Sequence, residues 1–286
     1  MTLEKIHTVG IVGAGTMGQG IAQVCASSGF TVLLYDIDQR FLQKGISSID
    51  SNLQASVEKN KLTAVQKQDT LNKIKLCENL EQVKADLIIE AAIENLEIKR
   101  EIFKVLENSN SEDCIFTTNT SSIPVTRIAS SLKNPERFAG LHFFNPAHIM
   151  KLVEIISGVA TSPVTIDTLK KITEKLGKIA VLTKDSPGFI VNRVARHYYV
   201  EALKILEEKA ADIKTIDALL KSSGFKMGAF ELMDLIGVDT NLSVTISMYN
   251  AFHQDAKFRP SRIQQQKVEA GHHGRKSGKG FYDYSK

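Results

Sequence analysis

The segment that most constrains this chain is Gly13-Ala14-Gly15-Thr16-Met17-Gly18, because of what stands on either side of it. An apolar run from Ile6 to Val12 leads into it, and Ile21, Ala22, Val24 and Cys25 follow at helical spacing. The segment therefore reads as strand, glycine turn and helix. Gly29 stops the helix, Thr31 to Tyr35 is β-branched and apolar like a buried parallel strand, and Asp36 closes that strand. An acidic residue roughly 20 positions past such a turn completes the pattern of a dinucleotide site. Gly13 permits the tight turn, Gly15 keeps a Cβ out of the way of the pyrophosphate, and Gly18 lets the helix approach the strand. Thr16 and Met17 lie between the glycines at the helix N-terminus, whose N–H groups attract phosphate, and are read as cofactor-binding with them. Asp36 is expected to accept hydrogen bonds from the adenosine ribose and to repel a 2′-phosphate, which makes NAD the expected cofactor. Arg40, four residues on, could reach a 2′-phosphate, but reads first as part of a solvated helix face.

At 286 residues the chain exceeds one minimal domain and suits two unequal ones. Gln39 through Cys77 is polar, with Ile46, Ile49, Leu53 and Val57 near one helical face, and reads as one or two exposed helices. Strand patterns at Asp86–Ala92, Cys114–Thr118 and Phe138–Phe144 then alternate with helical ones at Leu96–Glu107 and Pro124–Ser131. Strands at Lys151–Ser157 and Ile179–Thr183 flank a helix from Pro163 to Leu176. Such alternation predicts an α/β fold with a Rossmann-type doubly wound sheet. Lys184-Asp185-Ser186-Pro187-Gly188 breaks the pattern, and Val191–Glu208, Ile213–Ser222 and Leu242–His253 read as helices with no strand between them. The expected organisation is an NAD-binding domain over residues 1–185 and a smaller all-helical C-terminal domain over 186–286.

The net charge of +4 is spread along the chain, so a nucleic-acid partner is not expected. No apolar stretch approaches the length of a membrane span, and Met1 to Thr8 lacks a signal-peptide core. Cys25, Cys77 and Cys114 show no C-x-x-C spacing, which argues against disulfides and zinc and for a reducing, cytoplasmic setting. His148 and the adjacent His272-His273 have no third ligand at a sensible spacing, so no metal site is expected.

A nucleotide fold implies hydride transfer without naming the substrate. Gly140-Leu141-His142-Phe143-Phe144-Asn145-Pro146 places a histidine late in one apolar strand, and Lys151-Leu152-Val153-Glu154-Ile155-Ile156 places a lone carboxylate inside the next. Alcohol oxidation needs a base for the hydroxyl proton, and imidazole suits that task near neutral pH. A carboxylate on its other nitrogen would fix the tautomer. A histidine flanked by Leu141 and Phe143 is also a common core residue, whereas an unpaired carboxylate between Val153 and Ile155 costs several kcal/mol, so Glu154 needs a partner or a wet edge.

These stretches, with Asn119-Thr120-Ser121-Ser122, Pro187-Gly188-Phe189-Ile190-Val191-Asn192-Arg193 and the terminal Gly274-Arg275-Lys276-Ser277-Gly278, resemble the L-3-hydroxyacyl-CoA dehydrogenases over nearly the whole chain. The resemblance implies His142 as base, Glu154 as its partner, and Ser121 and Asn192 as groups positioning the substrate hydroxyl and thioester. It also implies cofactor contacts from Glu94, Lys99 and Asn119, a contact from Lys59 to the CoA phosphates, and a homodimer formed through the helical domain, which would also wall the substrate cleft. The implied reaction is reversible oxidation of a short L-3-hydroxyacyl-CoA such as 3-hydroxybutyryl-CoA with NAD. The Asn192–Arg196 and Gln264-Gln265 stretches also look similar to 3-hydroxyadipyl-CoA dehydrogenases, and a non-catalytic nucleotide-binding role like that of lens λ-crystallin is the alternative from another class. The chain departs from the family at Lys226-Met227-Gly228-Ala229-Phe230, where the family usually carries two prolines; their loss is expected to loosen that loop.

Overall fold

The structure, a computed structural model, describes residues 2–285. The chain divides into two compact units, Met1–Ser186 and Pro187–Lys286. In the first, strands β1 (Thr8–Val12), β2 (Thr31–Tyr35), β3 (Ile74–Leu76), β4 (Leu87–Glu90), β5 (Ile115–Thr118), β6 (Phe138–Phe143), β7 (Leu152–Ser157) and β8 (Ile179–Lys184) form one sheet. Its order is β3-β2-β1-β4-β5-β6-β7-β8. Every neighbouring pair is parallel except β6 with β7, which run antiparallel. The chain leaves β1 toward β2 on one side and later returns to β4 on the other, so the crevice where a doubly wound sheet binds ligands opens past the ends of β1 and β4.

Helices α1 (Thr16–Ser27), α2 (Gln39–Glu58), α3 (Ala64–Asn72), α4 (Leu96–Ser109), α5 (Val125–Ala129) and α6 (Pro163–Lys175) connect the strands. Their starts follow local chemistry. Asp38, Asn95 and Ser162 cap α2, α4 and α6 with side-chain oxygens, and Thr63 and Gln66 form a reciprocal capping box on α3. The core beneath is apolar and aromatic. Phe103 of α4 meets Phe138 of β6 edge-on at 4.8 Å between centroids, and both are fully buried, each contributing about 1.5–3 kcal/mol.

The second unit is helical: α7 (Val191–Glu207), α8 (Ile213–Ser222), α9 (Ala229–Ile236), α10 (Val238–Ala251) and α11 (Arg262–Glu269). Tyr199, Leu203, Ile216, Phe230, Met233 and Phe281 form its core. Two buried carboxylates organise it. Asp234 accepts from the Phe281 and Tyr282 N–H groups, both at 2.9 Å, and so pins the C-terminal tail. Asp217 accepts from the N–H groups of Phe230 and Glu231 at the start of α9 and from the Tyr282 hydroxyl. The Tyr198 hydroxyl also donates to the Met227 carbonyl, in the loop before α9, at 2.6 Å.

Several elements differ from the sequence expectation. The polar stretch after Gln39 holds two helices and then β3, an edge strand that pairs only with β2. With Lys75 and Leu76 exposed, β3 shows neither the alternation nor the apolar run of a buried strand. The strand expected to reach Ala92 stops at Glu90, whose carboxylate accepts from the Ala92 N–H and bends the chain. The last long helix begins at Val238, directly after Gly237 with φ 105°, and α9 and α11 are additional. No described helix is long and apolar enough to cross a membrane.

Candidate active site

The glycine turn has the shape its residues dictate. Gly13 has φ 102°, and a Cβ there would lie 2.6 Å from the Ala91 carbonyl oxygen. A Cβ on Gly18 would lie 1.7 Å from the Gly13 oxygen, so the first turn of α1 presses directly on the loop. Gly15 is different: a Cβ there would meet nothing within 4 Å. It is also the N-cap of α1 and brings no side chain to the first N–H groups of the helix, beside Thr16 and Met17. Open space in front of uncapped N–H groups is what a pyrophosphate needs.

Asp36 stands beside this turn. One oxygen accepts from the Ala14 N–H at 2.7 Å and the other from the Asp38 N–H at 3.1 Å, which fixes the carboxylate at the cleft edge. The cleft has a volume of about 680 Å³ and is lined mainly by apolar groups, among them Ile37, Ala92 and Ile93, with Gly13, Gly15 and Asp36. Ile37 and Ile93 are 91% and 67% exposed, apolar surface that a purine ring would cover. Arg40 projects into solvent and pairs with Asp38 at 2.6 Å. These groups suit a dinucleotide with a free 2′-hydroxyl.

Past the ends of β4 and β5 lies a network of charges. Lys99 of α4 is buried, and its ammonium lies 2.6 Å from Glu90 Oε1 and 3.5 Å from Glu94 Oε2. The Thr118 hydroxyl donates to Glu90 Oε2 at 2.6 Å. Glu94 Oε1 gathers the following loop, accepting from the Thr120 hydroxyl at 2.6 Å, from the N–H groups of Ser121 and Ser122 at 2.9 and 3.0 Å, and from the Ser122 hydroxyl at 3.0 Å. The Ser121 hydroxyl lies 3.4 Å from the same oxygen. Burial pushes the Glu94 carboxyl up, but Lys99 and these hydrogen bonds outweigh it and hold it below its ordinary value.

His142 and Glu154 face each other directly across the antiparallel β6–β7 pair, which brings their side chains to one face of the sheet. His142 Nδ1 lies 2.8 Å from Glu154 Oε2, with both residues buried. With Glu154 ionised, its carboxylate can only accept, an arrangement that calls for the tautomer protonated on Nδ1 with Nε2 as the basic nitrogen. Asn119, at the end of β5, accepts from the Phe143 N–H at 2.8 Å and so ties the loop bearing Ser121 to the strand bearing His142. Beyond β6, the Lys178 ammonium donates to the Ala147 and Met150 carbonyls at 2.7 and 2.8 Å and braces the connection between the two strands.

The first unit thus gathers three groups of expected site residues: the glycines with Asp36, Glu94 and Lys99 with Ser121, and His142 with Glu154 and Asn119. Lys59 is elsewhere, exposed at the C-terminal cap of α2. Asn192 belongs to the second unit, in the first turn of α7, half-buried. Glu90 and Lys178 were not anticipated. A signal for Glu90 does exist in the sequence, since it is the lone carboxylate ending the run Leu87-Ile88-Ile89, as Glu154 is inside its own strand.

Residues 8–186 match the profile of the 3-hydroxyacyl-CoA dehydrogenase NAD binding domain, and residues 188–284 that of the 3-hydroxyacyl-CoA dehydrogenase C-terminal domain. The 3-hydroxyadipyl-CoA dehydrogenase of Escherichia coli is 49% identical over 282 residues, which is 98% of this chain and 59% of that protein. This chain therefore spans little more than half the length of that relative. The 3-hydroxybutyryl-CoA dehydrogenase of Bradyrhizobium diazoefficiens is 41% identical over 98% of this chain and 96% of its own. The crystal structure of (S)-3-hydroxybutyryl-CoA dehydrogenase from Ralstonia eutropha superposes with a TM-score of 0.95 at 42% identity, covering 99% of this chain and all of that one. The chain belongs to the 3-hydroxyacyl-CoA dehydrogenase family and carries its NAD-binding domain.

Proposed function

We propose that this chain catalyses the reversible oxidation of short L-3-hydroxyacyl-CoA thioesters, such as 3-hydroxybutyryl-CoA, to 3-ketoacyl-CoA. The observation that carries this reading is the buried His142–Glu154 pair at 2.8 Å, in the fold of a family whose first domain binds NAD. NAD, when bound along Gly13, Gly15 and Asp36, supplies the acceptor for the hydride from C3. His142 Nε2 takes the hydroxyl proton, and Glu154 holds the Nδ1–H and stabilises the imidazolium that results. Ser121 donates a hydrogen bond to the substrate oxygen. Asn192 orients the thioester, Lys59 meets the CoA phosphates, and Glu94, Lys99 and Asn119 serve the cofactor side. Lys99, enclosed by Glu90 and Glu94, acts through Glu94 rather than by direct contact.

The test is NADH-dependent reduction of acetoacetyl-CoA. Turnover with NADH and little with NADPH supports the reading, while nucleotide binding without turnover of any acyl-CoA overturns it in favour of a non-catalytic role. A second substrate reading has one observation in its favour, the E. coli relative named for 3-hydroxyadipyl-CoA at 49% identity. A higher kcat/KM on that dicarboxylic thioester would establish it.

The same proposal includes a cytoplasmic homodimer joined through the helical unit. Leu219, Phe225 and Leu235 supply exposed apolar surface there, at 64%, 52% and 49%. Light scattering of the purified protein at twice the chain mass is the expected result.

A further inference from the structure

The buried carboxylate of Glu90 takes no part in the proposed chemistry, yet it lies at the root of the network that holds the serine loop. It has no exposed surface, and both oxygens are engaged: Oε1 with Lys99 Nζ at 2.6 Å and the Ala92 N–H at 2.7 Å, Oε2 with the Thr118 hydroxyl at 2.6 Å. A buried ion pair contributes little net stability compared with an apolar replacement, so its presence calls for another account. The geometry of the neighbours offers one. Lys99 is 1% exposed and stands between two carboxylates, close to Glu90 at 2.6 Å and farther from Glu94 at 3.5 Å. Glu94 in turn accepts from Thr120, Ser121 and Ser122 through a single oxygen.

We infer that Glu90 is a positioning residue: by drawing Lys99 toward itself, it leaves Glu94 Oε1 committed to the loop and so sets the orientation of Ser121. The inference rests on the substrate role of Ser121 only for its kinetic consequence. If Glu90 loses its charge, the buried ammonium has one carboxylate left, closes on Glu94 Oε2, and turns that carboxylate so that Oε1 leaves the loop. Effects on residues linked in this way are non-additive, so the role of Glu90 disappears once Lys99 is gone.

The experiment is a double-mutant cycle of Glu90→Gln and Lys99→Met with two readouts. Amide hydrogen exchange over residues 119–123 of the unliganded protein is expected to quicken about tenfold in Glu90→Gln, yet less than about twofold when the substitution is made on Lys99→Met. The KM for acetoacetyl-CoA is expected to rise by about the same factor, with kcat changing less. Additive effects in the exchange data, or loop exchange that stays at the wild-type rate, overturn the inference. If Glu90→Gln does not fold, Thr118→Val removes the donor to Glu90 Oε2 and is expected to quicken the same amides; no change there overturns it equally. Ser121→Ala separates the Glu90 relay from the substrate contact. A wild-type KM in that variant sinks the substrate role of Ser121, while the exchange cycle still decides the relay.

Discussion

Glu154 is fully buried in β7 between Val153 and Ile155, and the residue directly across the sheet from it is His142. An unpaired carboxylate there would cost several kcal/mol, and the imidazole at 2.8 Å offsets that penalty. Glu154→Gln keeps the shape, withdraws the charge that stabilises the imidazolium, and is expected to lower kcat about 10- to 100-fold with KM for NADH unchanged. A wild-type kcat would show that the pair is structural. Asp36 contributes at the other end of the proposed cofactor site. Its two oxygens are held by the Ala14 and Asp38 N–H groups, so the side chain is set in place before any ribose arrives. Asp36→Ala is expected to weaken NADH binding about tenfold or more, from the loss of charge-assisted hydrogen bonds, as read by NADH fluorescence titration. Equal binding by the variant would remove Asp36 from the site.

At the scale of elements, β1, α1 and β2 were legible because the glycine spacing, the apolar runs and the terminal carboxylate agree with one another. β6 and β7 were legible as two strands and His142 and Glu154 as a candidate pair, but the antiparallel register that sets them face to face was not, because strand partners are not written in local periodicity. β3 escaped because a three-residue edge strand buries almost nothing. α11 escaped because Arg262-Ile263-Gln264-Gln265-Gln266 offers no apolar stripe, and its one fully buried side chain is polar Gln264. Glu90 was overlooked because it ends an apolar strand and its partner Lys99 lies on the following helix. Two substitutions probe these elements. Gly18→Ala would drive a Cβ into the Gly13 carbonyl, and is expected to cost about 1–3 kcal/mol or more and to lower nucleotide affinity as α1 shifts. Asp234→Asn leaves at least one of the tail N–H groups facing a donor, and is expected to cost about 1–3 kcal/mol in denaturant unfolding. An unchanged midpoint in either case would contradict the packing described.

For the whole molecule, the division of labour follows the two units. The first holds the glycine turn, the acidic network past β4 and β5 and the histidine pair, while the second holds the tail anchored on Asp234. Fold class and family could be read from ordered motifs spread along the chain, whereas the preferred acyl chain could not, because selectivity depends on the shape of surfaces that no local motif encodes. In the proposed 3-hydroxyacyl-CoA dehydrogenase reaction, His142 is the base and plays no part in holding the nucleotide. The most direct measurement is the rate of acetoacetyl-CoA reduction by NADH in His142→Gln, alongside its NADH affinity. In this variant kcat is expected to fall about 100- to 10,000-fold while the Kd for NADH stays within about twofold. Retained turnover, or a loss of NADH affinity that matches the loss of rate, would contradict that role for His142.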